Sequence, residues 1–468
     1  MLEAKHDDFK SCEIGSLIEQ FGEQRQSNMK IDLHNLEITG ERLENSDKNL
    51  SICIMGDWSP ASGGISDIVI KRQESFYDAL QPYLNESDLN IANLETVIDH
   101  TDRHVDTGGI RFIDKKEVLS SLQAANIKLV CLANNHIMDN DKKGVEQTIK
   151  YLRECSICHV GAGLYEKEIY SPFTYEKNGV KIAVINAADG EYANEKYNDG
   201  IGAADIESYR VIDSIRKYKR KGYFILVVLH AGAEFVPIPP PYIVKQYRTF
   251  VLNGADLVVG HHPHVVQGIE IFKNVPIVYS LGHFGIFRSK GREKEKEGLL
   301  INLSIGNEGL EKCILIPFHI TKNGIKKLSA SHLDRFVKNL KIISKSITED
   351  KTLHEIWALY VHQYYPIINI KRILCKYLHD ESASRILAKR LFIANSTKHI
   401  YLTHSNNHQL EFKHIELLKE YGSFRKLKYG DIIFIRTRNI LRGIYLSLST
   451  KRDLIRKQIL KIKRGITI

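Results

Sequence analysis

Five short apolar runs in this chain each stop at a cluster of acidic, amide or imidazole side chains. Ser51–Met55 runs into Gly56 and Asp57, Leu89–Ile91 into Asn93 and Glu95, and Ile127–Leu132 into Asn134, Asn135 and His136. Phe224–Leu229 ends on His230 with Glu234 close behind, and Leu257–Val259 is followed by His261, His262 and His264. Further β-rich runs lie at Ile182–Ile185, Ile277–Tyr279 and Leu299–Leu303. Between them, Gly144–Arg153 and Tyr242–Asn253 space apolar residues three or four apart, which predicts helices. That alternation predicts an α/β domain with buried strands. In such sheets ligands bind outside the carboxyl ends of the strands, where all five clusters fall.

Taken singly, each cluster has an ordinary explanation. An Asp after a strand often caps a helix, paired Asn residues suit turns, and one His can sit hydrogen-bonded in a core. Pooled in one crevice, carboxylate, amide and imidazole donors suit borderline divalent cations such as Mn, Fe or Zn. His262 and His264 flank Pro263, and an extended loop would aim both imidazoles at one cation. Asp57 or Glu95 could bridge two cations, which would acidify a water molecule and clamp a phosphoryl oxygen.

The 468 residues exceed one ordinary domain. Residues 1–49 read as an extension with weak helical periodicity that partly packs on the body, and residues 50–320 as the α/β domain. Residues 321–468 read as a basic, mainly helical region. From Ser331 onward there are 27 Lys and Arg against 11 Asp and Glu, a net of +16, so the first 330 residues carry −6 of the total +10. In Lys451–Ile468 a stripe of Ile455, Ile459, Ile462 and Ile466 is flanked by seven basic residues. Such a helix can dock on an anionic membrane or a partner, or pack on its own domain. Nucleic acid would rest on that tail alone and is not expected as a partner.

No secretory signal or membrane-spanning run is read, and seven dispersed cysteines suit reduced thiols, so a cytoplasmic location is expected, peripheral to the inner face of the membrane if the basic end docks there. Cys155, Cys158 and His159 lack the second pair that a zinc site needs, and read as a helix end leading into a strand. The prolines from Pro237 to Pro241 read as a rigid loop after the His230 strand.

The blocks GDWSP, NLETVI, ANNHIMD, HAGAE, GHHPHVVQG and YSLGHF resemble, in that order, those of the CapA or poly-gamma-glutamate capsule synthesis family, within the calcineurin-like metallophosphoesterases. The similarity covers roughly Leu50 to Phe287. It implies a four-layer αββα sandwich, two sheets face to face between outer helices, holding one or two divalent cations. By the resemblance, Asp57, Glu95, Asn135, His230, His262 and His264 are metal ligands, with Glu95 bridging. His136 would contact substrate or protonate a leaving group, while Asp139 and Glu234 would orient the site from behind. Two positions depart from the pattern. Ser59 stands where many phosphoesterases have a histidine, and His283 where the family usually has asparagine. The family's usual membrane anchor is not read at this N-terminus.

The function so implied is metal-dependent hydrolysis of a phosphoester or a related bond in an anionic polymer, in capsule or polyanionic polymer synthesis. The alternative is a non-catalytic assembly factor of a capsule or polysaccharide synthesis complex on the same fold.

Overall fold

The computed structural model describes residues 29–40, 49–101, 110–190, 193–289, 291 and 293–357. Its main elements are two sheets. The nine-stranded sheet runs Lys30–Asp32, Glu37–Thr39, Gly309–Thr321, Glu297–Gly306, Leu50–Trp58, Leu89–Leu94, Ile127–Cys131 and Cys158–Val160, with Gly324–Lys327 paired beside Gly309–Thr321. The six-stranded sheet runs Phe173–Lys177, Val180–Ala188, Phe224–His230, Leu257–His261, Val275–Val278 and Ile269–Phe272.

Both sheets are parallel where they carry the polar clusters. Leu50–Trp58, Leu89–Leu94 and Ile127–Cys131 run side by side, as do Val180–Ala188, Phe224–His230 and Leu257–His261. Parallel strands are covered on both faces and therefore read as near-continuous apolar runs. Phe224–His230, every residue of it buried, shows the pattern.

One buried cluster joins the sheets. It combines Ile52, Ile54, Ile91 and Leu129 of the larger sheet with Ile182, Val184, Leu226, Val228 and Val259 of the smaller. A second cluster sets alternate residues of the larger sheet, Cys53, Met55, Ala92 and Val130, against Val69, Leu84, Leu119 and Val145 from helices. Tyr209–Arg220 and Pro241–Leu252 pack on the smaller sheet. The first begins at Ser208, whose hydroxyl accepts the Arg210 N–H at 3.4 Å. The second has Pro241 at its first position, where a missing N–H costs nothing, so the proline run ends as a helix start.

The chain departs from the sequence reading at both edges of the domain. Residues 30–39 form a hairpin that joins the larger sheet, Cys313 pairing with Ile38, so the expected extension contributes strands. Gly309–Thr321 is a 13-residue strand that crosses the expected boundary near 320. Beyond it, Ala330–Thr348 is helical, and its Phe336 and Leu340 join the cluster between the sheets. The helix Asp141–Glu154 ends before Cys155, and Cys158 opens a short strand. The stripe in Lys451–Ile468 lies outside the described residues. Among the described residues, no helix is long and apolar enough to cross a membrane.

Candidate metal centre

Strand register brings the clusters together. Asp57 pairs beside Asn93 in the larger sheet, and His230 beside His261 in the smaller. Both pairs therefore stand at carboxyl ends, with their side chains between the sheets. Asp57 and Glu95 are fully buried, His230 and His261 are 1% exposed and His264 is 6% exposed.

Asp57 links the two sides. Its Oδ1 accepts the Asn93 side-chain amide at 2.8 Å and lies 3.1 Å from His261 Nδ1. Its Oδ2 accepts the backbone N–H of His262 at 3.2 Å and lies 3.2 Å from His264 Nδ1. Around His230 Nε2 gather Asn135 Oδ1 at 2.9 Å, His262 Nδ1 at 3.1 Å and Glu95 Oε1 at 3.5 Å. His264 Nε2 is also 3.5 Å from Glu95 Oε1. The structure thus brings all six expected ligands into one cluster.

The His262–His264 loop is not the extended loop that the spacing around Pro263 allows. His262 and His264 have φ of 94° and 57°, and Phe235, whose N–H bonds Pro263 O at 2.7 Å, has φ of 60°. Such angles are costly for side chains with a Cβ and gather at functional sites. Here they turn both imidazoles of the His-Pro-His segment toward Glu95 and Asp57.

The donor set fits divalent cations. Two groups have donor atoms all within 4.8 Å of one another, Glu95 with His230 and His262, and Asp57 with Glu95 and His264. Glu95 is common to both. Neither of its oxygens has a hydrogen-bond partner, although the residue is fully buried. A buried carboxylate without hydrogen bonds is costly, and a cation between it and neutral imidazoles relieves that cost.

Charge follows the same geometry. Burial pushes the Glu95 carboxyl well above the usual range; His264 opposes this, and Asp57, Glu234 and Asp139 add to it. Burial would also raise Asp57, but the imidazoles of His261 and His264 outweigh it and hold it well below its usual value. Burial, joined by neighbouring imidazoles, drives His230 well below its usual value. Burial would likewise lower His264, yet Glu95 and Asp57 raise it to about 9.

His136 stands beside the donors. Its Nε2 is 3.9 Å from Glu95 Oε1, its Nδ1 lies 2.6 Å from Asp139 Oδ2, and the Phe112 ring packs on it at 4.2 Å. Asp139 therefore orients His136, and also accepts the Phe112 N–H at 2.7 Å. Glu234 is exposed; its charge raises His262 against the lowering by burial. The Ser59 hydroxyl is buried without a hydrogen-bond partner. His283 sets Nδ1 3.0 Å from Glu295 O and its ring 4.9 Å from His264, and burial with the His264 charge lowers it to about 3.

Sequence reasoning had not assigned Asn93, His261 or Phe112. The first two stand in the polar clusters and carried a signal, whereas Phe112 sits on a loop that carries none.

Residues 51–288 match the family described as Bacterial capsule synthesis protein PGA_cap. The capsule biosynthesis protein CapA of Bacillus anthracis is 29% identical over 287 residues, covering 60% of this chain and 68% of that protein. The PGA biosynthesis protein CapA of Bacillus subtilis is 26% identical over 288 residues, 60% of this chain and 71% of that one. A probable polyglutamine synthesis accessory protein of Mycobacterium tuberculosis is 26% identical over 277 residues, 55% of this chain and 73% of that one. Among solved structures, the NAD nucleotidase of Haemophilus influenzae aligns at 16% identity over 63% of this chain and 62% of that chain. Its TM-score of 0.36 is too low to carry a functional argument.

Proposed function

This chain belongs to the bacterial capsule synthesis protein PGA_cap family, and we propose that it is a metal-dependent hydrolase of the calcineurin-like phosphoesterase type. Its substrate would be a phosphoester or a related bond in an anionic polymer, cleaved during capsule or poly-gamma-glutamate-like polymer synthesis. The observation that carries this reading is Glu95, a buried carboxylate with no hydrogen bond, shared by two clusters of donors. The cluster common to both sheets, with helices packed on each, supports the four-layer αββα sandwich.

Asp57, Glu95 and His264 would hold one cation, and Glu95, His230 and His262 a second, with Asn135 Oδ1 beside His230. A divalent cation held there supplies Lewis acidity toward a phosphoryl oxygen. The rest falls to the chain's own groups. Asp139, 2.6 Å from His136 Nδ1, would hold the ring as its imidazolium, whose Nε2 proton could pass to a leaving group. Phe112 shields that ring from water on one side.

The test is metal analysis of the purified protein with a phosphoester screen in Mn, Fe or Zn. Turnover that chelation abolishes and the cation restores is expected. Tight cation binding without turnover on any ester would favour the non-catalytic assembly role, to which Ser59 points by leaving one donor position short. The basic C-terminal region, outside the described residues, is proposed to hold the protein at an anionic membrane or synthesis complex, with a cytoplasmic location.

A further inference from the structure

Arg288 stands at the end of a stack that begins at the metal donors. The Phe235 ring lies 5.5 Å from the His264 ring, and the Arg288 guanidinium lies 4.3 Å over the other partner in the stack, Phe235. Both residues are presented by segments tied to proposed ligands. Phe235 adopts φ of 60° while its N–H bonds Pro263 O, so its backbone is strained into place beside the His262–His264 loop. On the other side, Phe284 N–H and Gly285 N–H both bond Asp57 O, at 2.8 and 3.2 Å. A Cβ on Gly285 would lie 2.1 Å from Trp58, so the segment leading to Arg288 is pressed against the Asp57 strand.

What Arg288 does with its charge is unaccounted for by that packing. Among the described residues its one carboxylate neighbour is Glu295, reached through Nε at 3.4 Å, and no hydrogen bond holds its two Nη atoms. Its side chain is 40% exposed. A guanidinium stacked on an aromatic face and held at Nε keeps its outer fork free for an oxyanion.

We propose that Arg288, seated on Phe235, is a substrate-binding residue that grips a second oxyanion next to the bond cleaved at the metal centre. The inference rests on the hydrolase reading above and extends it to substrate class. The preferred substrate carries a carboxylate or phosphate beside the scissile group, as an anionic polymer does at every repeat.

Two pairs of esters distinguish the sources of that oxyanion, phosphoglycerate against glycerol phosphate and fructose bisphosphate against fructose phosphate. Wild type should favour the doubly anionic member in kcat/KM. Arg288→Gln should cut that preference about tenfold to a hundredfold, as for a lost charged hydrogen bond, mostly through KM, and Arg288→Lys should restore only part. The pair that loses its preference identifies the oxyanion. An unchanged preference for both pairs in Arg288→Gln overturns the proposal, even though the hydrolase reading stands. Calorimetric binding of inorganic pyrophosphate in the presence of Mn decides the matter without turnover. A loss of about tenfold or more in Arg288→Gln supports the grip, and equal affinity overturns it. Wild type that turns over no ester would instead count against the hydrolase reading, leaving the binding result to judge Arg288.

Discussion

Asp57 accepts the backbone N–H of His262 at 3.2 Å, so a carboxylate at the end of one sheet anchors the histidine loop at the end of the other. The same carboxylate meets Asn93 and His261 through its other oxygen. Structure and donor chemistry therefore share one residue, and altering it should disturb both. Asp57→Asn should bind less cation and also unfold more easily, by about 1–3 kcal/mol for buried donors left without their acceptor. Metal analysis and urea unfolding check the two losses. Lost metal with unchanged stability would show that the anchor is immaterial.

His136 and Asp139 should separate from the ligands in their behaviour. His136→Ala is expected to keep its metal and lose turnover by roughly two to four orders of magnitude, as for a missing general acid. Asp139→Asn, which alters the partner that orients the ring and keeps one oxygen to accept the Phe112 N–H, should lose roughly tenfold to a hundredfold. Equal loss of metal and activity in His136→Ala would make it a ligand.

Cation binding should release protons. The Glu95 and Asp57 carboxylates hold His264 at about 9, so in the protein alone its imidazole favours the protonated form near neutral pH. A cation needs it deprotonated. Affinity should therefore fall as pH falls, and calorimetry in buffers of different ionisation enthalpy should show protons leaving at pH 7. Binding heats independent of the buffer would contradict this charge assignment.

Gly56 should tolerate no side chain. A Cβ there would stand 2.1 Å from Gly282 O, in the segment that pairs with Asp57 and continues to His283. Gly56→Ala is expected to cost about 1–3 kcal/mol as an overpacked site. A thermal melt matching wild type would show that the two segments part freely.

Much of this architecture was legible because parallel strands leave an unbroken apolar signature. Each of the eight apolar runs read from the sequence lies within or overlaps a strand, and the five clusters meet where parallel strands end. The edges were not legible. Gly309–Thr321 is only half-buried along most of its length and mixes Glu311, Lys312 and His319 with apolar residues, which blurs any period. The Lys30–Thr39 hairpin is three residues per strand, too short to show alternation. Within the site, ligand types were readable but backbone shape was not. The positive φ of His262 and His264 accompanies tertiary contacts such as the His262 N–H to Asp57, which no local pattern announces. Phe112, Phe235 and Arg288 lie on loops, where sequence carries no periodic signal for position.

The central claim is that Glu95 is shared between cations held by residues from both sheets. Anomalous diffraction from crystals grown with Mn tests it most directly. The account expects two peaks, each about 2 Å from a Glu95 oxygen, with His230 and His262 around one and Asp57 and His264 around the other. A folded protein in saturating Mn with no anomalous peak at Glu95 would contradict it.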